Sequence, residues 1–234
     1  MHVLIVGRGH MGDVLNTELA ENGHTNTITR DLTDITQSNF DVIIDFSHPD
    51  NLNRIDKFSK ANNLPVVIAT TGYTDIQLAL IDDMSKSIPV LYSANYSLGV
   101  ILMNKLVKQA TQALYESFDI EIIEKHHKHK IDSPSGTAKM LSDNISSALP
   151  EKYEYKYGRE GFARRKQKEI GMHSIRGGSF SGEHQVIFAG EEEVFSITHE
   201  ANSKKIFAKG AILGAKWIVK QPKGRYTMEN VLNL

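Results

Sequence analysis

The sequence contains no cysteine, which excludes disulfides, thiolate nucleophiles and Cys-ligated zinc or iron–sulfur centres. That absence fits a reducing compartment, and any metal would need His or carboxylate ligands. An excess of either charge is also missing: 27 Lys+Arg oppose 28 Asp+Glu, for a formal net charge of -1. So balanced a chain has no global positive field of the kind that neutralises nucleic-acid phosphates, so no nucleic-acid partner is expected, although a local basic patch stays open. No apolar run approaches the ~20 residues that crossing a bilayer requires, so no membrane partner is expected either. The opening MHVLIVG has no basic leader and no small-residue cleavage site, and it reads as a buried strand rather than a signal peptide. Internal repeats and low-complexity segments are absent. What is present is 234 residues with 40% hydrophobic and 24% charged content, enough to fill the core of one or two domains of a soluble, cytoplasmic protein.

The first hundred residues repeat one cadence of short aliphatic run, turn residues and helical stretch. Strands are expected over 3–6, 42–46, 66–69 and 90–92, with a weaker one over 25–29, and helices over 11–22, 50–62 and 75–87. Strands that alternate with helices and are apolar without a period of two imply a parallel sheet covered on both faces, an α/β doubly wound arrangement of Rossmann type. A new layer begins with a long amphipathic helix whose apolar stripe is Leu98, Leu102, Leu106 and Ala110. After it come a strand over 118–124, a helix over 135–149, a charged loop over 151–167 and two alternating strand segments. His184, Val186 and Phe188 share one face of the first, and Val194, Ser196 and Thr198 oppose Phe195, Ile197 and His199 on the second. This central part reads as a second, α+β domain. A last helix over 205–220 returns to cover the first sheet. The Gly pair in HSIRGGSFSGEH, 173–184, reads as a hairpin or bulge.

The densest sequence signals are two. Gly7, Gly9 and Gly12 stand in GxGxxG spacing between the first strand and first helix. There a missing Cβ permits a tight turn and close backbone approach to a pyrophosphate, whose charge meets free N–H groups at the helix start. The acidic ribose contact belongs ~20 residues further on, where Asp31 stands. Its neighbour Arg30 suits a 2′-phosphate instead, so NADH and NADPH both stay open. ATTGY at 69–73 and SANYS at 93–97 place small hydroxyl residues at carboxyl ends of parallel strands, where such sheets bind ligands and where ordinary helix caps also lie.

The second signal is EKHHKHKIDSPSGTAKM, 124–140, with three histidines and three lysines between 125 and 130 followed by Ser-Gly-Thr at a helix start. Cationic side chains, hydroxyls and helix N–H groups concentrated in this way suit a dicarboxylate. A solvated basic loop, a nucleic-acid patch and a metal site on His126, His127 and His129 compete with that reading. The patch is short and has no interleaved aromatics, and the adjacent lysines would repel a bound cation.

Taken together, GRGHMG, DFSHPD, ATTGY, SANYSLGV, EIIEKHHKHKIDSPSGTA, SIRGGSFSGEH and THEANSKKIFAKGA resemble, in order and almost end to end, the 4-hydroxy-tetrahydrodipicolinate reductase (dihydrodipicolinate reductase) family of lysine and diaminopimelate synthesis. The resemblance implies a Rossmann domain over 1–97 and 205–234, and a substrate-binding and oligomerisation domain over 98–204 that builds a homotetramer. It implies reduction of 4-hydroxy-tetrahydrodipicolinate, or of its dehydrated form, by NADH or NADPH, with no metal. Position by position, it makes His126 the proton donor and Lys130 a second catalytic cation. It assigns the substrate carboxylates to His127, Lys130, Ser135, Gly136 and Thr137. On the cofactor side it assigns Gly7, Arg8, Gly9, His10, Met11 and Gly12 to the phosphates and Asp31 to the ribose. Ala69, Thr70, Thr71, Ser93, Ala94, Asn95 and Tyr96 would line the nicotinamide. The chain departs from the family pattern at His48 and Lys204, where arginine is usual.

Overall fold

The computed structural model describes residues 1–36 and 39–234 and divides the chain into two compact units, Met1–Leu98 with Lys204–Leu234, and Gly99–Ser203. The first unit opens with β1 (His2–Val6), α1 (His10–Glu21), β2 (Thr25–Thr29), β3 (Val42–Asp45), α2 (Leu52–Asn62), β4 (Val66–Ile68), α3 (Asp75–Ser85) and β5 (Pro89–Tyr92). The second carries most of α4 (Leu98–Leu114), then β6 (Asp119–His126), α5 (Gly136–Ala148), β7 (Glu154–Tyr157), β8 (Glu169–Arg176), β9 (Glu183–Ala189) and β10 (Val194–Glu200). The chain then returns to the first unit with α6 (Lys205–Ile218), β11 (Gly224–Tyr226) and α7 (Met228–Leu232).

The first unit is a parallel six-stranded sheet in the order β11-β5-β4-β3-β1-β2. Its central strands are covered on both faces, which is why Val3, Leu4 and Ile5, and Val42, Ile43 and Ile44, are all fully buried with no alternation. β2 is an edge strand, which accounts for its weakly apolar TNTIT sequence. Thr74 and Gln77 form a reciprocal capping box at the start of α3. α2 begins later than expected because Pro49 and the His48 cap, whose Nδ1 accepts from the Asp50 amide, first set a 3-10 turn over Pro49–Asn51. α6 does cover this sheet: Gly210 lies so close to the Tyr96 carbonyl that a Cβ would collide with it. β11 and α7 follow the expected last helix and carry little apolar patterning.

The second unit is a mixed five-stranded sheet, β10-β9-β6-β8-β7, packed on α4 and α5 through Met103, Val107, Ile122, Leu141, Ile145, Met172, Val186 and Phe188. Three expectations are corrected here. The glycine-containing segment 177–182 is not a hairpin turn, because β8 runs parallel to β6 on one side while β9 runs antiparallel to β6 on the other. β8 is hidden in the sequence because EIGM is buried without alternation, with Gly171 giving up its side-chain space to the Glu121 carboxylate. The loop expected over 151–167 contains the edge strand β7, which is largely exposed and charged. The stripe of α4 is also reversed: Val100, Ile101, Met103, Val107 and Thr111 face the core, whereas Leu98, Leu102 and Leu106 are about two-fifths exposed. No helix among the described residues is long and apolar enough to cross a membrane.

Candidate active site

In the first unit the turn after β1 is tight where it must be and open where a ligand would lie. Gly7 has φ 121°, a region L side chains rarely adopt, and a Cβ there would strike the Phe46 carbonyl; a Cβ on Gly12 would strike the Gly7 carbonyl. Gly9, by contrast, has nothing within 4 Å of its Cβ position. It is the N-cap of α1, and no side chain caps that helix. The amides of the first turn therefore point outward with the positive end of the helix dipole, as a pyrophosphate requires. Arg8 and His10 beside them are exposed and Met11 is half-buried. These residues fit a dinucleotide cofactor.

Asp31 stands just past β2, with Oδ1 accepting from the Thr33 amide at 3.0 Å and Oδ2 from Arg54 Nη1 at 2.8 Å. The Thr33 amide and the Arg54 guanidinium hold its carboxyl below the ordinary range. Arg54, on α2, is a partner the sequence did not disclose, since it lies 23 residues away. Arg30 is exposed.

Beyond β3 and β4 the carboxyl ends of the strands are organised by Asp45, a buried carboxylate that sequence reasoning left without a role. Asp45 accepts from the amide and hydroxyl of Ser47 and from Tyr73 at 3.3 Å. Burial raises its pKa, and these donors oppose the rise. Thr70 is buried and accepts from the Ser47 amide at 2.9 Å, while Thr71 is exposed and Ala69 half-buried. Ser93 donates to the Asn95 carbonyl, Asn95 accepts from the Ser97 amide, and Ala94 is exposed. Tyr96 differs from its neighbours, because its ring is buried and its hydroxyl donates to the carbonyls of Ile68 and Leu91. Its side chain serves the sheet.

In the second unit β6 ends on His126, and the following loop leads to the N-terminus of α5. His126 Nδ1 lies 2.6 Å from Glu124 Oε2. Glu124 is fully buried, and Arg176 of β8 grips both its oxygens at 2.7 Å. Burial alone would raise the Glu124 pKa; Arg176, Ser174 and His126 outweigh that and hold it at about 2. Burial pushes His126 below its ordinary 6.5, Glu124 opposes this, and the charges of Lys130 and Arg176 add to it. Ser135 caps α5, accepting from the Ala138 amide at 3.1 Å, and its Oγ meets His184 Nε2 at 2.8 Å. Burial holds His184 at about 4, so it is neutral near pH 7.

Gly136 opens α5 with nothing within 4 Å of its Cβ position, and Thr137 follows it on the first turn. Lys130 pairs with Asp132 at 2.7 Å, and His127 buries an Nδ1 that has no hydrogen-bond partner. The structure thus brings His126 and the Ser135 amide onto one carboxylate, that of Glu124, which Arg176 also grips and beside which His184 meets the Ser135 hydroxyl; Glu124, Arg176 and His184 had been given no role in the chemistry. For Arg176 and His184 the available signal was their presence in a motif block, since their pairings span 52 and 49 residues, whereas Glu124 stands two residues before His126. Among the described residues no group of three or more His, Asp or Glu side chains is placed to hold a metal ion.

Comparison with known proteins returns one family over both units. The description "Dihydrodipicolinate reductase, N-terminus" matches residues 17–96 and "Dihydrodipicolinate reductase, C-terminus" matches residues 99–232. A 4-hydroxy-tetrahydrodipicolinate reductase of Brachyspira hyodysenteriae is 45% identical over 232 residues, 99% of this chain and 100% of that protein. The corresponding protein of Clostridium novyi is 48% identical over 194 residues, 83% of this chain and 77% of that one. A dipicolinate-bound dihydrodipicolinate reductase from Paenisporosarcina sp. TG-14 shares the fold with a TM-score of 0.78 at 25% identity, covering 98% of each chain.

Proposed function

The chain belongs to the dihydrodipicolinate reductase family, and from that premise we infer that it reduces 4-hydroxy-tetrahydrodipicolinate, or its dehydrated form, to tetrahydrodipicolinate in lysine and diaminopimelate synthesis. The cofactor is a nicotinamide dinucleotide, held by the Gly7–Gly12 turn and by Asp31, and when bound it supplies the hydride. Either NADH or NADPH suits the ribose end: Asp31 accepts from a diol, and Arg30 and Arg54 offer guanidinium groups to a 2′-phosphate. Ala69, Thr70, Thr71, Ser93, Ala94, Asn95 and the Tyr96 backbone line the nicotinamide side in this reading.

The substrate is a dianion, and the second unit offers it charge and dipole together. Lys130, His127 and the N-terminal turn of α5 at Ser135, Gly136 and Thr137 bind the carboxylates and orient the ring, which removes an entropic barrier. His126 moves the proton. In its neutral form the ring donates Nδ1–H to Glu124, so only the imidazolium carries a transferable proton on Nε2. Burial and two neighbouring cations keep the unliganded ring mostly neutral near pH 7, and a bound dianion raises its pKa toward the charged form. Lys130 stabilises the electron density that builds on the conjugated imine during reduction.

The observation that carries this reading is His126 held at 2.6 Å by a buried carboxylate beside the capped start of α5. Its test is oxidation of reduced cofactor, followed by near-ultraviolet absorbance, with freshly generated 4-hydroxy-tetrahydrodipicolinate. Cofactor oxidation that depends on this substrate is expected, and a folded protein with neither NADH nor NADPH oxidation would overturn it. The protein acts in this reading as a homotetramer. The support is an apolar groove on the second unit lined by Leu106 of α4 with Phe195 and Ile197 of β10, with Leu102 exposed on the same helix.

A further inference from the structure

Glu124 is a fully buried anion that touches far more of the second unit than a simple ion pair needs. Its Oε2 accepts from His126 Nδ1 at 2.6 Å and Arg176 Nη1 at 2.7 Å, and its Oε1 accepts from Arg176 Nη2 at 2.7 Å and the Ser135 amide at 3.2 Å. Arg176 Nη2 also donates to the Asp132 carbonyl at 2.7 Å. One carboxylate therefore ties together the end of β6, the end of β8, the loop 127–135 and the cap of α5. We propose that Glu124, neutralised by Arg176, is a positioning residue for the reaction, which fixes the His126 tautomer and holds the loop that binds the substrate carboxylates. This proposal rests on the reading of His126 as proton donor.

The tautomer follows from valence. A carboxylate only accepts, so the single N–H of a neutral His126 sits on Nδ1, and the arriving proton must occupy Nε2. That nitrogen lies 3.2 Å from the position a Cβ on Gly182 would take, so the glycine keeps the space in front of it open. The charge balance follows from the counter-ion. A lone buried carboxylate would hold the imidazolium so firmly that the ring could not release its proton, and Arg176 cancels much of that attraction. The groups facing the ring are Glu124 on β6, Arg176 on β8, His184 on β9 and Lys130 in the loop, with Asp132 paired to Lys130. His184 adds no charge near pH 7 because burial keeps it neutral.

A brace of purely structural value would lose stability in any variant but would not move the His126 titration in opposite directions. The test uses the full chain labelled with 15N at histidine, with Glu124→Gln and Arg176→Leu as variants, read by NMR titration and by the pH dependence of steady-state rates. The wild type is expected to show Nδ1–H in neutral His126. Glu124→Gln should lower the His126 pKa and reduce kcat about 10²–10⁴-fold, whereas Arg176→Leu should raise that pKa and shift the alkaline fall of kcat/KM upward. An Nε2–H tautomer in the wild type, or pKa shifts of the same sign in both variants, overturns the proposal. If Glu124→Gln fails to fold, the wild-type tautomer and Arg176→Leu decide it. The NMR arm needs no turnover, so a correctly placed proton in a protein without reductase activity would refute the functional reading and leave the positioning pair standing.

Discussion

Replacing His126 with glutamine removes the proposed proton donor while sparing most of its surroundings, and the structure sets the size of each effect. Glu124 would keep both Arg176 contacts at 2.7 Å and the Ser135 amide at 3.2 Å, so no buried charge is stranded. The stability loss is then that of one hydrogen bond to a charged group, about 1.5–3 kcal/mol. Loss of a positioned general acid lowers kcat about 10²–10⁴-fold, which corresponds to about 2.7–5.5 kcal/mol in the barrier. Lys130 and the start of α5 still hold the carboxylates, so KM for the substrate should change by no more than about threefold. Steady-state assays from acid to alkaline pH separate these quantities. In the wild type the ring must be protonated to act and its free-enzyme pKa lies below 6.5, so kcat/KM should fall as pH rises past that value, while kcat holds to higher pH because the bound dianion raises the pKa. The variant should lose that limb. A turnover within tenfold of wild type, or an unchanged pH profile, would remove His126 from the mechanism.

Lys130→Ala should lower kcat and raise KM together, because the proposed role of the ammonium is both to hold a carboxylate and to stabilise developing charge; a change in only one, in the same assay, would assign it a single role. Asp31→Ala should weaken NADH more than NADPH, since it deletes the diol acceptor and frees Arg54; equal losses in fluorescence titrations of the two cofactors would reject the ribose role. Acid should destabilise the fold in two stages. His184 has a folded pKa of about 4 against an ordinary 6.5, so its burial favours folding above 6.5 and is lost as pH falls toward 4, on the order of 3 kcal/mol. Glu124, held at about 2 against 4.5, gives stability present above 4.5 and lost below it. A melting temperature that stays flat from pH 7 to 4 would contradict the His184 stage, and one that stays flat from pH 4.5 to 2 would contradict the Glu124 stage. Leu102→Glu with Leu106→Glu should shrink the assembly in light scattering, and an unchanged mass would move the interface off α4.

Most of the first unit was legible in its sequence because its elements are local. Each buried parallel strand is a continuous aliphatic run, and the Gly7–Gly12 turn needs glycine for reasons visible at single positions, a positive φ at one and a backbone contact at the other. The second unit was harder because its patterning depends on partners far along the chain. Glu169 and Gly171 look wrong for a buried strand until Arg159 is seen reaching Glu169 and the Glu121 carboxylate is seen filling the space beside Gly171. On α4 two apolar stripes compete: Leu98, Leu102 and Leu106 recur every four residues, while Val100, Met103 and Val107 recur at i, i+3 and i+7 and win the core. Periodicity tells that a helix is apolar on a face; it does not tell which of two faces meets the sheet.

The site divides along the same line. His126, His127, Lys130 and the Ser-Gly-Thr start of α5 sit in one continuous block, so composition alone made that block a candidate anion site. What singles out one histidine among three as the proposed proton donor is a carboxylate two residues before it and a guanidinium 52 residues from that carboxylate. A strand places residues two apart on the same face, so Glu124 and His126 were bound to be neighbours, and this much a reading of β6 as a strand through residue 126 would have yielded. Ending that strand at 124 hid the pairing. The Arg176 contact has no comparable local sign, since it depends on β8 lying parallel to β6 in register, with Arg176 opposite His126. Chemistry that rests on residue type can thus be read from a motif, whereas chemistry that rests on which nitrogen carries the proton is decided by strand register.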